Sequence, residues 1–314
     1  MPMPELSVGE LRLAVEPMSN LLDALHRGGV GVPYSCRAGS CHACLVRCVR
    51  GEPLDAKPEA LSGLLRDQGW RLACQCRMVD DLQIEVFDPV RDGRPARVEA
   101  TDWLSANVLR LRLIPEQPLR YSAGQHLVLW SSNGVARPYS LASLPGEDPW
   151  LEFHLDCREQ GAFSDEARAF SPGERLRLGE LRGGALHYDP DWQARPLWLL
   201  AAGTGLAPLY GVLREALRQD HQGSIRVIHL AHDRAEHYLA DTLMALAADH
   251  PHVQIELLSA AELPAALAEL RLASRQTLAL LCGHPSSVET FARRLYLAGL
   301  PRNQVFADLF LPHA

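Results

Sequence analysis

The sequence predicts a multidomain protein that combines α+β and α/β architecture, and three observations predict it. Strand-like alternation near the start is interrupted by one short helical pattern and a loop rich in cysteine. A middle stretch is dominated by period two. The last third alternates continuous apolar runs with helical patterns. A length of 314 residues suits about two to three domains, each able to bury its own core.

In segment 1–88, Leu11-Arg12-Leu13-Ala14-Val15 alternates as a strand does. Asn20 is placed as a helix N-cap ahead of Leu21, Leu22, Ala24 and Leu25, and Gly28-Gly29 supplies the stop. Leu45-Val46, Leu72-Ala73-Cys74 and Leu82-Gln83-Ile84-Glu85-Val86 read as further strands. The expectation is a small mixed sheet packed on one helix.

Cys36, Cys41 and Cys44 stand at the spacing C-x4-C-x2-C, and Cys74 arrives after a long excursion. Plant-type 2Fe–2S sites hold iron with this spacing, the fourth ligand being remote in sequence. Ala38, Gly39, Ser40 and Ala43 are small enough for the loop to wrap tightly and turn its N–H groups toward sulfur. Gly39 can take φ > 0 at no steric cost. Structural disulfides are one alternative, and a four-thiolate zinc site with Cys74 and Cys76 as its second pair is another. Zinc sites pair cysteines about two to four residues apart. Here the second pair is C-x-C and Cys36 is left over, so the spacing favours iron.

Segment 89–95 is turn-rich and charged, without apolar period, and reads as a linker. Across 96–192, Leu109, Leu111 and Leu113 alternate with arginines, Leu151, Phe153 and Leu155 alternate with Glu152 and His154, and Arg175–Leu178 repeats the pattern. Turn residues separate these runs, as in a small antiparallel barrel. Within it, Arg137-Pro138-Tyr139-Ser140 offers an anion partner, an aromatic face and a hydroxyl in succession. In segment 193–314, Leu197–Ala202 is a continuous apolar run, as in a buried parallel strand. Gly203-Thr204-Gly205 and a helical pattern follow it. Ile225–Leu230, Val253–Leu257 and Thr277–Leu281 read as further strands, which predicts a doubly wound α/β domain.

Together these stretches resemble a known family. Cys36-Arg37-Ala38-Gly39-Ser40-Cys41-x-x-Cys44 with Leu72-Ala73-Cys74-Gln75-Cys76 resembles the N-terminal ferredoxin module of the oxygenase-type electron-transfer reductases. Arg137-Pro138-Tyr139-Ser140-Leu141-Ala142-Ser143 resembles the flavin signature of the ferredoxin–NADP reductase superfamily. Gly203-Thr204-Gly205-x-Ala207-Pro208, Cys282-Gly283-His284-Pro285 and Ala307-Asp308-Leu309-Phe310 resemble its nucleotide loop, C-G-x-P motif and terminal motif.

The resemblance covers nearly the whole chain. It implies a β-grasp ferredoxin domain, an antiparallel β-barrel flavin domain and a doubly wound nucleotide domain. It assigns iron to Cys36, Cys41, Cys44 and Cys74, leaving Cys48 and Cys76 as buried free thiols. Arg137 would pair with the flavin phosphate. Tyr139 would lie against the flavin ring, and Ser140 would hydrogen-bond near its N5. Gly161-Ala162-Phe163-Ser164 resembles the phosphate-side turn, with Ser164 capping the next helix. Gly203, Thr204, Gly205 and Pro208 would cradle the nucleotide pyrophosphate. Cys282 and Gly283 would lie at the nicotinamide, Cys282 as a contact and not a nucleophile, and Phe310 close to the flavin. Ser140, Cys282 and Phe310 would therefore surround hydride transfer. One departure stands out: where the family often carries Gly-Pro-x-Gly, this chain has Leu181-Arg182-Gly183-Gly184.

The implied activity passes electrons from NAD(P)H through FAD and a 2Fe–2S cluster to an electron-accepting protein such as an oxygenase component. FAD, not FMN, follows from the module order. NADH is expected over NADPH, because Asp233 and Glu236 would repel a 2′-phosphate, although Arg234 lies between them. A reductase of a deoxysugar dehydratase, or of free flavin or ferric chelates, would share this chemistry. A redox sensor without turnover is a different class, which the intact flavin, nucleotide and tail motifs disfavour. Arg37, His42, Arg47 and Arg50 make the cysteine loop basic, so an acidic docking face is expected on the acceptor. His42 replaces the small residue common at its position. It either points to water or adds charge beside the cluster.

Composition excludes other classes. A net charge of −7 argues against a nucleic-acid surface. No run of eighteen apolar residues exists, and the start has neither the basic region nor the apolar core of a signal peptide. Eight cysteines then point to a reducing, cytoplasmic setting. A monomer is expected. Lys57 is the one lysine among many arginines, which reads as codon bias.

Overall fold

The computed structural model describes residues 3–311, which fall into two compact units. The first contains the chain up to Pro95 together with 127–138 and 176–182; the second contains the rest.

In the first unit a mixed sheet runs in the order Leu11–Ala14, Glu5–Val8, Leu82–Val86, Leu45–Arg50, Trp70–Leu72. Only the Glu5–Val8 and Leu82–Val86 pairing is parallel. The helix Leu21–Arg27 buries Leu21, Leu22, Ala24 and Leu25, which pack with Leu6, Val46, Leu72 and Ile84. Its start is fixed as expected: the Asn20 side chain accepts from Asp23 N at 3.3 Å, a cap of about 1 kcal/mol. The same side chain donates to Cys74 O at 2.9 Å, tying the helix start to the remote cysteine. Cys74 itself lies in a single 3-10 turn, Ala73–Gln75, and not in the expected strand, which ends at Leu72.

Segment 89–95 contains a hydrogen-bonded turn. Asp88 accepts from Val90 N at 2.8 Å, Gly93 N donates to Pro89 O at 3.2 Å, and the strand Arg94–Trp103 begins inside the segment. A Cβ on Gly93 would lie 2.5 Å from Pro89 O, so only glycine closes this turn.

The strands His126–Trp130 and Ala136–Ser140 carry no period-two signal. All five residues of the former are buried, so nothing alternates. In the second unit, the strand Arg94–Trp103 from Ala96 onward, Val108–Pro115 and Leu151–Asp156 pair antiparallel. Glu152 and His154, expected on a wet face, are both buried. They persist there as a hydrogen-bonded group: Arg112 Nε donates to Glu152 at 2.8 Å, and His154 Nε2 lies 3.1 Å from the other oxygen. Burial alone would raise Glu152, but His154 and Arg112 hold its carboxyl at about 2.

The last segment forms an all-parallel sheet in the order Val253–Ser259, Ile225–Ala231, Leu197–Ala202, Leu278–Gly283, Val305–Leu309. Leu197, Leu199 and Ala201 point into one core with helix Leu206–Arg218. Trp198 and Leu200 point into another with helix Pro285–Leu297. Covering both faces explains the unbroken apolar runs. The order reverses between Leu197–Ala202 and Leu278–Gly283, and such a switch point is where open α/β sheets take ligands.

Candidate functional site

The cysteine loop places its sulfurs as two pairs. The Cys36 side chain interacts with that of Cys41, whose sulfur also accepts from Cys36 N at 3.4 Å, and the Cys44 side chain interacts with that of Cys74. Three backbone N–H groups, from Ala38, Ser40 and Cys41, donate to Cys36 Sγ at 3.3, 3.4 and 3.3 Å. The Cys41 side chain first, and the N–H groups of Cys41 and Ala38 after it, pull Cys36 down to about 4 against its burial, while Cys41 is pushed up. Cys74 is held at about 7 by Cys44 first, then by the Gln75 amide, which donates to its sulfur at 3.2 Å. Burial instead raises Cys48, to about 11, and Cys76. Cys76 is buried as expected, whereas Cys48 is only half-buried.

Among the described residues no three His, Cys, Asp or Glu side chains converge on a single metal position. Two thiol pairs are what a 2Fe–2S cluster requires, since each of its irons takes two protein ligands. The donor set fits that cluster.

The loop has two sides. Cys41, His42, Ala43 and Cys44 are buried, whereas Arg37, Ala38 and Ser40 are exposed. The buried side rests on Val128, Trp130 and Ala136, with Cys36 and Phe87 at its margin. Phe87 stacks on Trp130 at 5.5 Å and meets Trp70 at 5.9 Å. His42 does not point to water: its Nδ1 lies 3.8 Å from the Glu180 carboxylate, and only 6 % of the residue is exposed. Ala136 immediately precedes Arg137, so the cysteine loop seats against the strand that carries the Arg137–Ser140 motif.

Of that motif, the Arg137 guanidinium donates to Ala136 O at 2.7 Å. The Tyr139 ring lies 5.2 Å from Phe163, and Ser140 is buried. Ser164 is not a cap. Helix Ala162–Ala167 starts from Gly161, and Ser164 sits in its first turn, donating back to Gly161 O at 3.1 Å. A cavity of about 410 Å³ is lined by Gly183, Gly184, Tyr121, Gln125, His187 and Arg218, with none of the nucleotide-loop residues on its wall.

At the switch point two backbones interlock. A Cβ on Gly205 would lie 2.2 Å from Cys282 O, and one on Gly283, at φ 136°, would lie 2.5 Å from Ala202 O. Thr204 is half-buried between them, and Pro208 falls in the first turn of the following helix, where its missing N–H costs nothing. Cys282 is fully buried, and burial, then Asp308, keeps its thiol protonated. Phe310 N donates to Gly283 O at 2.9 Å, and its half-buried side chain packs against the core that includes Cys282.

Sequence reading missed His229. Nested in an apolar strand, it lies beneath the loop with Nε2 3.1 Å from Gly203 O. A carbonyl only accepts, so Nε2 carries the proton. Burial, with His237 second, holds His229 at about 4. The unfolded chain takes this proton near 6.5, so between those values it binds more protons than the fold. Stability present above pH 6.5 then drains on acidification, by about 3 kcal/mol once pH 4 is reached. Denaturation midpoints measured across that window should fall steeply in the wild type and flatten in His229→Gln. Parallel curves would remove His229 as the cause.

Glu236 also differs from expectation. It accepts from Arg158 Nη2 at 2.7 Å and Asn107 Nδ2 at 3.3 Å, so its charge is already engaged. Asp233 accepts from Ala235 N at 2.9 Å, and Arg234 pairs with Glu262.

A paired four-thiolate loop and a glycine-lined switch point on one chain define a modular iron–sulfur, pyridine-nucleotide oxidoreductase. The 2Fe-2S iron-sulfur cluster binding domain family matches residues 8–79, and the oxidoreductase NAD-binding domain family matches 199–294. The ferredoxin–NAD(P)(+) reductase component of the naphthalene 1,2-dioxygenase system of Pseudomonas putida is 31% identical over 315 residues, 94% of each chain. The reductase subunit of an aromatic O-demethylase from Amycolatopsis sp. is 31% identical over 333 residues, 98% of each. The chain belongs to this family of NAD(P)-linked ferredoxin reductase components of oxygenase systems. An Amycolatopsis cytochrome P450 reductase structure aligns with TM-score 0.65 at 26% identity, covering 98% of this chain and 99% of that one. No helix among the described residues is long and apolar enough to cross a membrane.

Proposed function

We propose that this reductase takes electrons from NADH and delivers them singly to an acidic protein acceptor, an oxygenase component being the type that fits. One observation carries the reading: the thiolate loop rests on Ala136, the residue next to the Arg137–Ser140 motif. When bound, FAD supplies hydride acceptance and the two-iron cluster supplies one-electron transfer. The chain's own residues position these groups. Cys36, Cys41, Cys44 and Cys74 hold iron. Arg137 would hold the flavin phosphate, Tyr139 would lie against the ring, Ser140 would hydrogen-bond near its N5, and Gly161 and Ser164 would shape the phosphate-side turn. Gly203, Thr204, Gly205 and Pro208 form the pyrophosphate cradle. Gly283 leaves room for the nicotinamide, Cys282 contributes through its backbone with its thiol turned into the core, and Phe310 excludes water.

The domains are a β-grasp module at 1–88, a linker at 89–95, a flavin barrel at 96–192 and the nucleotide domain at 193–314. The exposed side of the cysteine loop is the exit. Arg37 is exposed there and Lys57 joins it, Arg47 and Arg50 are exposed on the strand that follows, and buried His42 leaves the set. The protein works as a cytoplasmic monomer, where thiolates stay reduced.

Steady-state turnover of the holoprotein tests this. NADH oxidation should be sustained with ferricyanide and cytochrome c. Because Glu236 is engaged, discrimination rests on Asp233 alone, so kcat/KM should favour NADH over NADPH by about tenfold or less. Transfer to the physiological acceptor should slow with ionic strength. No turnover would leave a sensor, an NADPH preference would end the assignment to NADH, and a salt-insensitive rate would end the acidic partner.

A further inference from the structure

We propose that Lys57 and Gln75 clasp the outer side of the cysteine loop and act as positioning residues for the cluster, keeping loop N–H groups on the ligand sulfurs. The proposal rests on the four-thiolate site described above.

A peptide group points its N–H and its C=O in opposite directions. The peptide joining Arg37 to Ala38 turns its N–H onto Cys36 Sγ at 3.3 Å, so Arg37 O faces outward. Gln75 Nε2 donates to that oxygen at 2.9 Å. In the next peptide, between Ala38 and Gly39, the carbonyl is also held from outside. Lys57 Nζ donates to it at 3.0 Å. Gln75 thus holds the carbonyl of a peptide whose N–H serves a ligand sulfur, and Lys57 holds the carbonyl of the peptide that follows it. A donor on the carbonyl polarises the peptide and strengthens the bond its N–H makes. Gln75 Nε2 also reaches Cys74 Sγ directly, at 3.2 Å.

Both stems cross Gly39. A Cβ there would meet Gln75 Cγ at 3.1 Å and Lys57 Cδ at 3.6 Å. The loop needs such support, because Arg37 adopts φ 50°, which costs a non-glycine residue on the order of 1 kcal/mol. Lys57 is anchored through its backbone N–H, which Asp55 accepts at 2.9 Å. Its chemistry suits the position: a compact ammonium on a long stem reaches one carbonyl where a planar guanidinium would spread over several. The single lysine of the chain is thus a feature of the cluster loop, beyond any codon bias.

The holoprotein provides the test. The visible absorbance of the cluster is followed during incubation with excess chelator, and its midpoint potential is measured by spectroelectrochemistry. Lys57→Met and Gln75→Leu should each bleach about tenfold faster than wild type, with the potential shifted downward as N–H···S bonds weaken. Lys57→Arg should recover part of both. Wild-type bleaching rates and potentials in both variants would overturn the clasp. So would faster bleaching at an unchanged potential, which marks general loosening. A wild-type protein that takes up no iron would instead overturn the cluster site itself.

Discussion

Cys74→Ser removes reduction of a one-electron protein acceptor by roughly 100-fold or more, while NADH oxidation with ferricyanide continues near the wild-type rate. The size follows from ligand chemistry: loss of an outer partner of a metal ligand already costs about 10–100-fold, so loss of a ligand reaches at least the upper end. The split follows from the architecture. Cys74 is held by Asn20 and Gln75 in the first unit, whereas Gly205, Gly283 and Phe310 belong to the second. Cys48→Ser is the control, because that thiol pairs with no other and its burial is the main cause of its raised pKa. Equal losses with both acceptors would mean that Cys74 supports the fold and not the cluster.

Gly205→Ala is the second large effect. The backbone of Gly205 is ordinary, at φ −57°, so alanine is not conformationally strained. The obstacle is space, since the new methyl would lie 2.2 Å from Cys282 O and 2.7 Å from Gly283 N. Both are backbone atoms, so the two strands of the switch point must separate. Misplacement on the order of 1 Å at a reacting site costs about 10²-fold, and kcat/KM for NADH should fall by that order. Gly203→Ala provides the contrast. Gly203 sits at φ 55° with nothing within 4 Å of its Cβ, so alanine there costs only about 1–2 kcal/mol of backbone strain. Kinetic and thermal data on both variants decide it. Comparable kcat/KM values would show that the crossing of Gly205 over Cys282 is not what positions the nucleotide.

That contrast marks where sequence stops being informative. Gly203 and Gly205 look equivalent in a G-x-G motif, yet one is needed for its angle and the other for its lack of volume. The capped helix at Leu21–Arg27 and the doubly wound sheet were legible, because an Asn cap and unbroken apolar runs are local signals. His229 and Glu180 were not, since a histidine in an apolar run or a glutamate on a strand gains meaning only from what lies opposite. Glu152 and His154 reversed a period-two reading because they satisfy each other and Arg112 in a buried setting. Glu236 was read as a free charge, and Arg158 and Asn107 already hold it. Lys57 was visible from the first line of composition, but its meaning is a single contact to Ala38 O.

The central claim is that Cys36 with Cys41, and Cys44 with Cys74, hold two irons that receive electrons from NADH. Electron paramagnetic resonance of the holoprotein after anaerobic addition of NADH tests it most directly, alongside iron and acid-labile sulfide assays. The account predicts iron and sulfide in equal amounts, and a reduced 2Fe–2S signal that appears with NADH and is absent from Cys74→Ser. A signal that forms with dithionite but never with NADH, or iron without labile sulfide, would contradict it.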